Sequence, residues 1–182
     1  MRPPCAFSEG VTIPGWTTTS GSGVYGQFEP GPPAKTTYFN SVPDGILVAY
    51  INDGTVSQTV GTTPGAGVTY TLTVDIGARK DNPPNAFTGT ADLMLGATVC
   101  AATGTPPTVA GNWSVYTATC ISTEAGDPIV IQLNGPSAQG DFDNVVLTDN
   151  LSSTPEPSTL TLFRSGLLAL AYLVRRRRFA QS

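Results

Sequence analysis

The sequence contains no histidine and only three cysteines among its 182 residues. Without histidine there is no Ser-His-Asp or Cys-His catalytic group, no imidazole ligand for zinc and no histidine proton shuttle. Cys5, Cys100 and Cys120 also lack the Cys-x-x-Cys spacing of redox and zinc sites. In an oxidising compartment Cys100 and Cys120 could form a disulfide, and the alternative is two free thiols. Along the predicted strand 113–121, alternation turns Cys120 and Trp113 to opposite faces. Because we expect Trp113 in the core, we expect Cys120 to be exposed.

Basic residues are scarce in most of the chain. Between Phe7 and Asn150 three Lys and Arg residues stand against twelve Asp and Glu residues, whereas five of the nine basic residues lie between Arg164 and Arg178. Phosphate backbones repel such an acidic body, so we expect no nucleic-acid partner. No pair of the thirteen acids is singled out for the two-carboxylate chemistry of a glycosidase, and we predict that the chain is not an enzyme.

The N-terminus lacks the apolar core of a secretory signal, although Arg2 supplies the basic residue of such a signal. Residues 1–6 are therefore interpreted as disordered or as a truncated start, and no signal peptide is visible.

The body from residue 7 to 149 has the period-2 pattern of strands. Val68–Ile76 alternates apolar and polar residues over its whole length, and Gly, Pro, Asn and Asp clusters separate the apolar runs. Asn52–Thr55 and the sequence NGPSAQG are interpreted as turns. Many short strands of this kind predict an antiparallel sandwich or barrel. The other predicted strands are 46–51, 56–60, 93–95, 113–121, 129–133 and 142–147.

The order of these segments resembles the galactose-binding-domain-like jelly roll, the β-sandwich of many carbohydrate-binding modules. The resemblance is carried by Pro14-Gly15-Trp16, PDGILVAYIN, TYTLTVD, Trp113-x-x-Tyr116 and the closing Asp141–Val145. Related modules often hold a structural calcium ion, and the resemblance implies Glu9 and Asp143 as ligands, with Asp141 as a second choice. Calcium takes six to eight oxygen ligands, so backbone carbonyls and water would complete such a site.

Sugar binding would require exposed aromatic rings. The candidates for stacking on a sugar are the aromatic residues that we expect on loops. The alternative is that these residues are buried in the core. They are Tyr25, Phe28, Tyr38 and Phe39.

The C-terminal region differs from the body. Residues 150–157 form a polar spacer that ends in Pro155-Glu156-Pro157, and an apolar run from Leu160 to Val174 follows. Ser158 to Val174 would span roughly 25 Å as a helix, at the short end of what crosses a membrane. Arg164 interrupts the run, so a helix that packs on the body or on a membrane surface is the alternative.

PEPSTL, an apolar segment and the cluster Arg175, Arg176, Arg177 and Arg178 together resemble a PEP-CTERM sorting signal. The resemblance implies export, transient anchoring in the inner membrane over residues 158–178, and processing near Pro155, Glu156 and Pro157 by an exosortase. Residues 179–182 are a short tail.

These observations predict an exported β-sandwich with a structural or adhesive role at the cell surface or in an exopolysaccharide matrix. It would have no cofactor other than the candidate calcium ion. A carbohydrate-binding module in the same compartment, which would bind polysaccharide, is the alternative; a secreted hydrolase and an ice-binding protein are weaker ones.

Overall fold

The computed structural model describes residues 13–21, 24–30, 38–81 and 89–151, without the side chains of 136–138. The chain divides into two units, Met1–Asn150 and Leu151–Ser182, and all elements below belong to the first. The predicted C-terminal segment, with residues 155–157 and 175–178, lies outside the described residues. In the described part of the chain, no helix has the length and apolar character that a membrane span requires.

The described body is built from eight antiparallel strands. β4 and β7 agree with the predicted strands because one face of each is buried, which gives strict alternation in the sequence. The strands are β1 Thr17–Ser20, β2 Tyr25–Phe28, β3 Val48–Thr62, β4 Thr69–Gly77, β5 Thr90–Leu95, β6 Thr98–Ala101, β7 Trp113–Ile121 and β8 Pro128–Asp149.

The 22-residue strand β8 organises the sheet. It pairs with β3 along both of its halves, with β5 in its first half and with β4 in its second half. β3 also pairs with β1 and β2, and β5 pairs with β6. Because β8 is a neighbour of β3, β4 and β5 at once, the sheet curves back on itself and the architecture is nearly a barrel.

An isolated bridge between Thr103 and Thr117 joins the segment after β6 to β7. Each of the two residues donates its backbone N–H to the carbonyl of the other, at 2.9 and 3.0 Å. Since β7 pairs with β4 and β4 with β8, hydrogen bonds run around a closed circuit from β8 through β5, β6, β7 and β4. Most of the buried apolar side chains fill this circuit, with Leu72, Ile76, Leu93 and Leu133 fully buried.

A second, smaller cluster is mainly aromatic. Phe28, Phe39, Val48 and Tyr50 are buried in it, and the half-buried Trp113 packs against it. The rings of Phe39 and Trp113 lie 4.6 Å apart between centroids. Gly77 on β4 permits this packing, since a Cβ atom there would lie 2.8 Å from the Trp113 ring.

Two predicted turns are absent. Asn52–Thr55 lies inside β3, where a register shift between Asn52 and Gly54 and a positive φ of 49° at Asp53 mark a bulge. The NGPSAQG sequence is likewise part of β8. In both places the composition is typical of turns, but pairing with a long neighbouring strand keeps the backbone extended.

Candidate functional site

A cleft of about 370 Å³ lies against β2, β3 and β8, beside the turn that precedes β1. Its walls are mainly apolar side chains, with the half-buried Trp16 and the buried Phe142 as the aromatic ones. The apolar lining residues are Ile13, Trp16, Leu47, Ala49, Val60, Ile131, Leu133, Phe142, Val145 and Leu147. The size and character of the cleft are those of a small-molecule site.

Four polar residues also line the cleft: Gln27, Gln58, Asp143 and Asn144. Among the described lining residues, Asp143 is the one ionisable group. The side-chain amides of Gln27 and Gln58 are hydrogen-bonded to no other described residue, so both are free to contact a ligand.

Backbone N–H groups hold the Asp143 carboxylate from two sides. The N–H of Asp44 donates to Oδ2 at 3.1 Å, and the N–H of Asn144 donates to Oδ1 at 2.8 Å. Burial raises the pKa of Asp143 above its ordinary value. The two hydrogen bonds oppose that rise, and the nearby charges of Asp44 and Asp75 add to it. A carboxyl group with a raised pKa in an apolar cleft can exchange a proton with a ligand.

Asp141, two residues earlier, belongs to a separate polar network. It is 1% exposed, and its Oδ1 accepts a hydrogen bond from Gln139 Nε2 at 2.8 Å. Arg79 donates to Gln139 Oε1 at 2.7 Å, forms an ion pair with Asp81 at 2.6 Å and lies over the Tyr38 ring. Burial raises the pKa of Asp141 to about 7, although Arg79 and Gln139 oppose the rise. Asp141 does not line the cleft.

Of the proposed calcium ligands, the structure describes Asp141 and Asp143. The Asp143 oxygens accept two backbone N–H groups, and one Asp141 oxygen accepts the Gln139 amide. No three Asp, Glu, Cys or His residues of the described ranges are grouped to hold a metal ion. Glu9 lies outside those ranges, so calcium stays a prediction.

The proposed sugar-stacking residues do not form an exposed group. Phe28 and Phe39 are 3% and 0% exposed, so their rings cannot stack on a sugar in this structure. Tyr25 is half-buried against the main core, and Tyr38 is half-buried against the second cluster. Tyr25 and Phe28 lie on β2, which the sequence analysis did not identify as a strand.

The structure joins Cys100 on β6 to Cys120 on β7 by a disulfide, with 5.8 Å between their Cα atoms. The expectation that Cys120 is exposed is wrong: it is 1% exposed. The even-numbered residues of β7, from Tyr116 to Cys120, face the core, and Trp113 packs against the second cluster instead.

The described strands define an all-β, sandwich-like protein with a mainly apolar cleft. A family model described as HpiC1-like, HpiC1 cyclase, matches residues 4–148, and the chain therefore belongs to this family. The match contradicts the expectation that the chain is not an enzyme, because the family is named for a cyclase. It ends before Pro155, so the resemblance of the tail to a PEP-CTERM signal stays a prediction.

No curated protein matches the sequence. Among solved structures, the chain is similar to the Clostridium thermocellum N-terminal endo-1,4-beta-D-xylanase 10B, crystallised as its CBM22-1–GH10 modules with xylohexaose. The TM-score is 0.53 and the identity 16%, over 77% of this chain and 27% of that one. At this identity the likeness shows the fold alone, which is that of a carbohydrate-binding-module β-sandwich. The chain thus spans about a quarter of that protein.

Proposed function

We propose that the protein is a cyclase whose active site is the cleft and whose proton donor is Asp143. The observation that carries the proposal is the placement of one carboxyl group, with a raised pKa, among apolar walls. Membership of the HpiC1-like family supports a cyclisation reaction.

The chemistry would be an isomerisation. The protonated Asp143 carboxyl transfers its proton to a carbon–carbon double bond of the substrate, which leaves a carbocation and a carboxylate. A second double bond of the same molecule attacks the cation and forms the new ring. The resulting cation then loses a proton to the Asp143 carboxylate, so the product has the mass of the substrate and the enzyme is regenerated.

The cleft suits such a cation. The aromatic face of the half-buried Trp16 can stabilise positive charge through a cation–π contact worth about 0.5–2 kcal/mol. The apolar walls offer water few hydrogen-bond partners, which disfavours capture of the cation as an alcohol. Gln27 and Gln58 offer amide donors and acceptors that could orient a polar group of the substrate.

The test is binding of N,N-dimethylgeranylamine, an apolar ammonium ion that imitates a cationic intermediate. We expect it to bind the full chain in isothermal titration calorimetry, and we expect Asp143→Asn to weaken binding at least tenfold because the carboxylate is lost. Asp141→Asn is the matched control, since that carboxyl lies outside the cleft, and it should leave affinity unchanged. Absence of binding to the wild-type chain, or equal binding by Asp143→Asn, would overturn the proposal.

Turnover gives a second readout. Acyclic isoprenoid alcohols incubated with the protein in D₂O should yield isomers that carry one deuterium at the protonated carbon. Asp143→Asn should form none of them.

A second candidate function is carbohydrate binding, which the similarity to the xylanase structure favours. The half-buried Trp16 and the two glutamine amides of the cleft are the groups that could contact a sugar. Titration with xylohexaose tests this alternative in the same calorimeter. Binding of xylohexaose that Trp16→Ala removes and Asp143→Asn retains would favour the module over the cyclase.

We also propose that the chain is exported, anchored transiently in the inner membrane and sorted by an exosortase to the cell surface or the extracellular matrix. The support is the order of Pro155-Glu156-Pro157, the apolar run and the four arginines. Mass spectrometry of the cell-surface fraction tests this. Surface protein should lack the peptide 160–178, and its recovery intact on the mature protein would contradict sorting by cleavage.

A further inference from the structure

We infer that Asn144 and Asp75 are positioning residues for Asp143, since they hold the β-bulge beside which Asp143 lies in the lining of the cleft. The inference rests on the proposed function of the cleft. It assigns a structural role to Asn144, which lines the cleft, and to Asp75, which does not.

The first observation is the register of β4 and β8. Asp75 is opposite Asp143 and Thr73 is opposite Val146, so two residues of β8 face the single residue Val74. The extra residue changes which side chains face inward. Phe142 lines the cleft before the bulge, and Val145 and Leu147 line it afterwards, although regular alternation would turn these two away.

The second observation is the backbone conformation of Asn144. Its φ is +47°, in the left-handed region that residues other than glycine seldom adopt and that asparagine tolerates better than most. This conformation points the backbone N–H of Asn144 at Asp143 Oδ1. The rare conformation and the orientation of the carboxylate are therefore coupled.

The third observation is the hydrogen bond between Asn144 Nδ2 and Asp75 Oδ2, at 3.0 Å. Asp75 is 8% exposed, so it is a nearly fixed acceptor on the neighbouring strand. The bond ties the bulge to β4.

Two variants separate geometry from charge. Asn144→Gly keeps a residue that readily adopts positive φ, and it deletes the side-chain hydrogen bond to Asp75. Asp75→Asn keeps an acceptor oxygen and deletes the charge. The chain offers a matched control pair on the other half of β8, where Asn134 Nδ2 donates to Asp92 Oδ2 at the same 3.0 Å. Asn134→Gly and Asp92→Asn should therefore make similar local changes far from the bulge.

The measurements are NMR hydrogen exchange of the Asn144 backbone N–H, which reports its hydrogen bond to Asp143 Oδ1, and the affinity for N,N-dimethylgeranylamine, both on the full chain. We expect hydrogen exchange at residue 144 to become at least tenfold faster in Asn144→Gly, because the side-chain bond to Asp75 is lost. We expect exchange and affinity to be retained in Asp75→Asn, because an acceptor oxygen remains. We expect Asn144→Gly to weaken binding about five- to tenfold, which is typical of a lost hydrogen bond that orients a charged group. The control variants should change neither quantity.

Unchanged hydrogen exchange at residue 144 together with unchanged affinity in Asn144→Gly would overturn the inference, and so would equal changes in the control variants. If the wild-type chain does not bind the ammonium probe, the cyclase proposal fails. Hydrogen exchange at residue 144 in the two variants then still decides whether the bond to Asp75 holds the bulge.

Discussion

Replacing Asp141 by asparagine should stabilise the protein in alkaline solution. The Asp141 carboxyl is 1% exposed, and burial raises its pKa from 3.8 to about 7. In the unfolded chain the group ionises near its ordinary value. The folded state therefore holds the proton more tightly, and stability falls as the pH rises from about 4 to about 7.

The magnitude follows from the shift. One pKa unit corresponds to about 1.4 kcal/mol, so a rise of about three units costs roughly 4 kcal/mol of folding free energy above pH 7. Asparagine carries no charge at any pH in this range, and its Oδ1 can still accept the hydrogen bond from Gln139. At pH 8 Asp141→Asn should therefore be more stable than the wild type by up to about 4 kcal/mol, whereas at pH 4 the two should be nearly equal.

The assay is urea unfolding of the full chain, with the disulfide intact, at several values between pH 4 and pH 8. Glu124→Gln is the control, because it removes an exposed carboxyl. Its stability relative to the wild type should change little with pH. A difference between Asp141→Asn and the wild type that stays constant across this range would refute the reasoning, since it would mean that Asp141 titrates alike in the folded and unfolded chains.

Two further perturbations test the packing. Replacing Cys100 and Cys120 by serine removes a disulfide that closes a loop of sequence separation 20. The free energy of unfolding should fall by about 3 kcal/mol in denaturant titrations. An unchanged midpoint would show that the disulfide contributes nothing to stability. Gly77→Ala places a Cβ atom against the Trp113 and Phe39 rings and should lower the free energy of unfolding by about 1–3 kcal/mol. Gly65→Ala is the control, since its Cβ atom would meet no atom within 4 Å, and it should lower that free energy by less than about 1 kcal/mol. Equal losses of stability in thermal unfolding would contradict the packing at Gly77.

The sequence predicts the regular strands of the fold well. β4 and β7 each bury one face, and this single physical requirement leaves period-2 alternation in the residues. The long strands are not predicted at full length. Composition within NGPSAQG and around Asp53 is typical of turns, and only pairing with distant strands keeps those segments extended.

The site is less predictable than the fold. The sequence analysis singled out Asp143, but as a calcium ligand, because the resemblance that drew attention to it also suggested the role. Gln27 and Gln58 carry no recognisable motif. Gln27 reaches the cleft through the pairing of β2 with β3, and Gln58 through the pairing of β3 with β8. The bulge at Asn144 is not predicted either, although an Asp-Asn pair inside a strand pattern is a signal that could have suggested it.

The placement of β8 constrains the order of events in synthesis. This strand supplies the neighbour of β3, β4 and β5, yet it ends at Asp149, after all of them have been made. Nascent chains that lack it would expose unpaired edges on three earlier strands, a state prone to aggregation. We therefore expect ribosome-bound chains to gain protease resistance only once the region through Asp149 has left the exit tunnel.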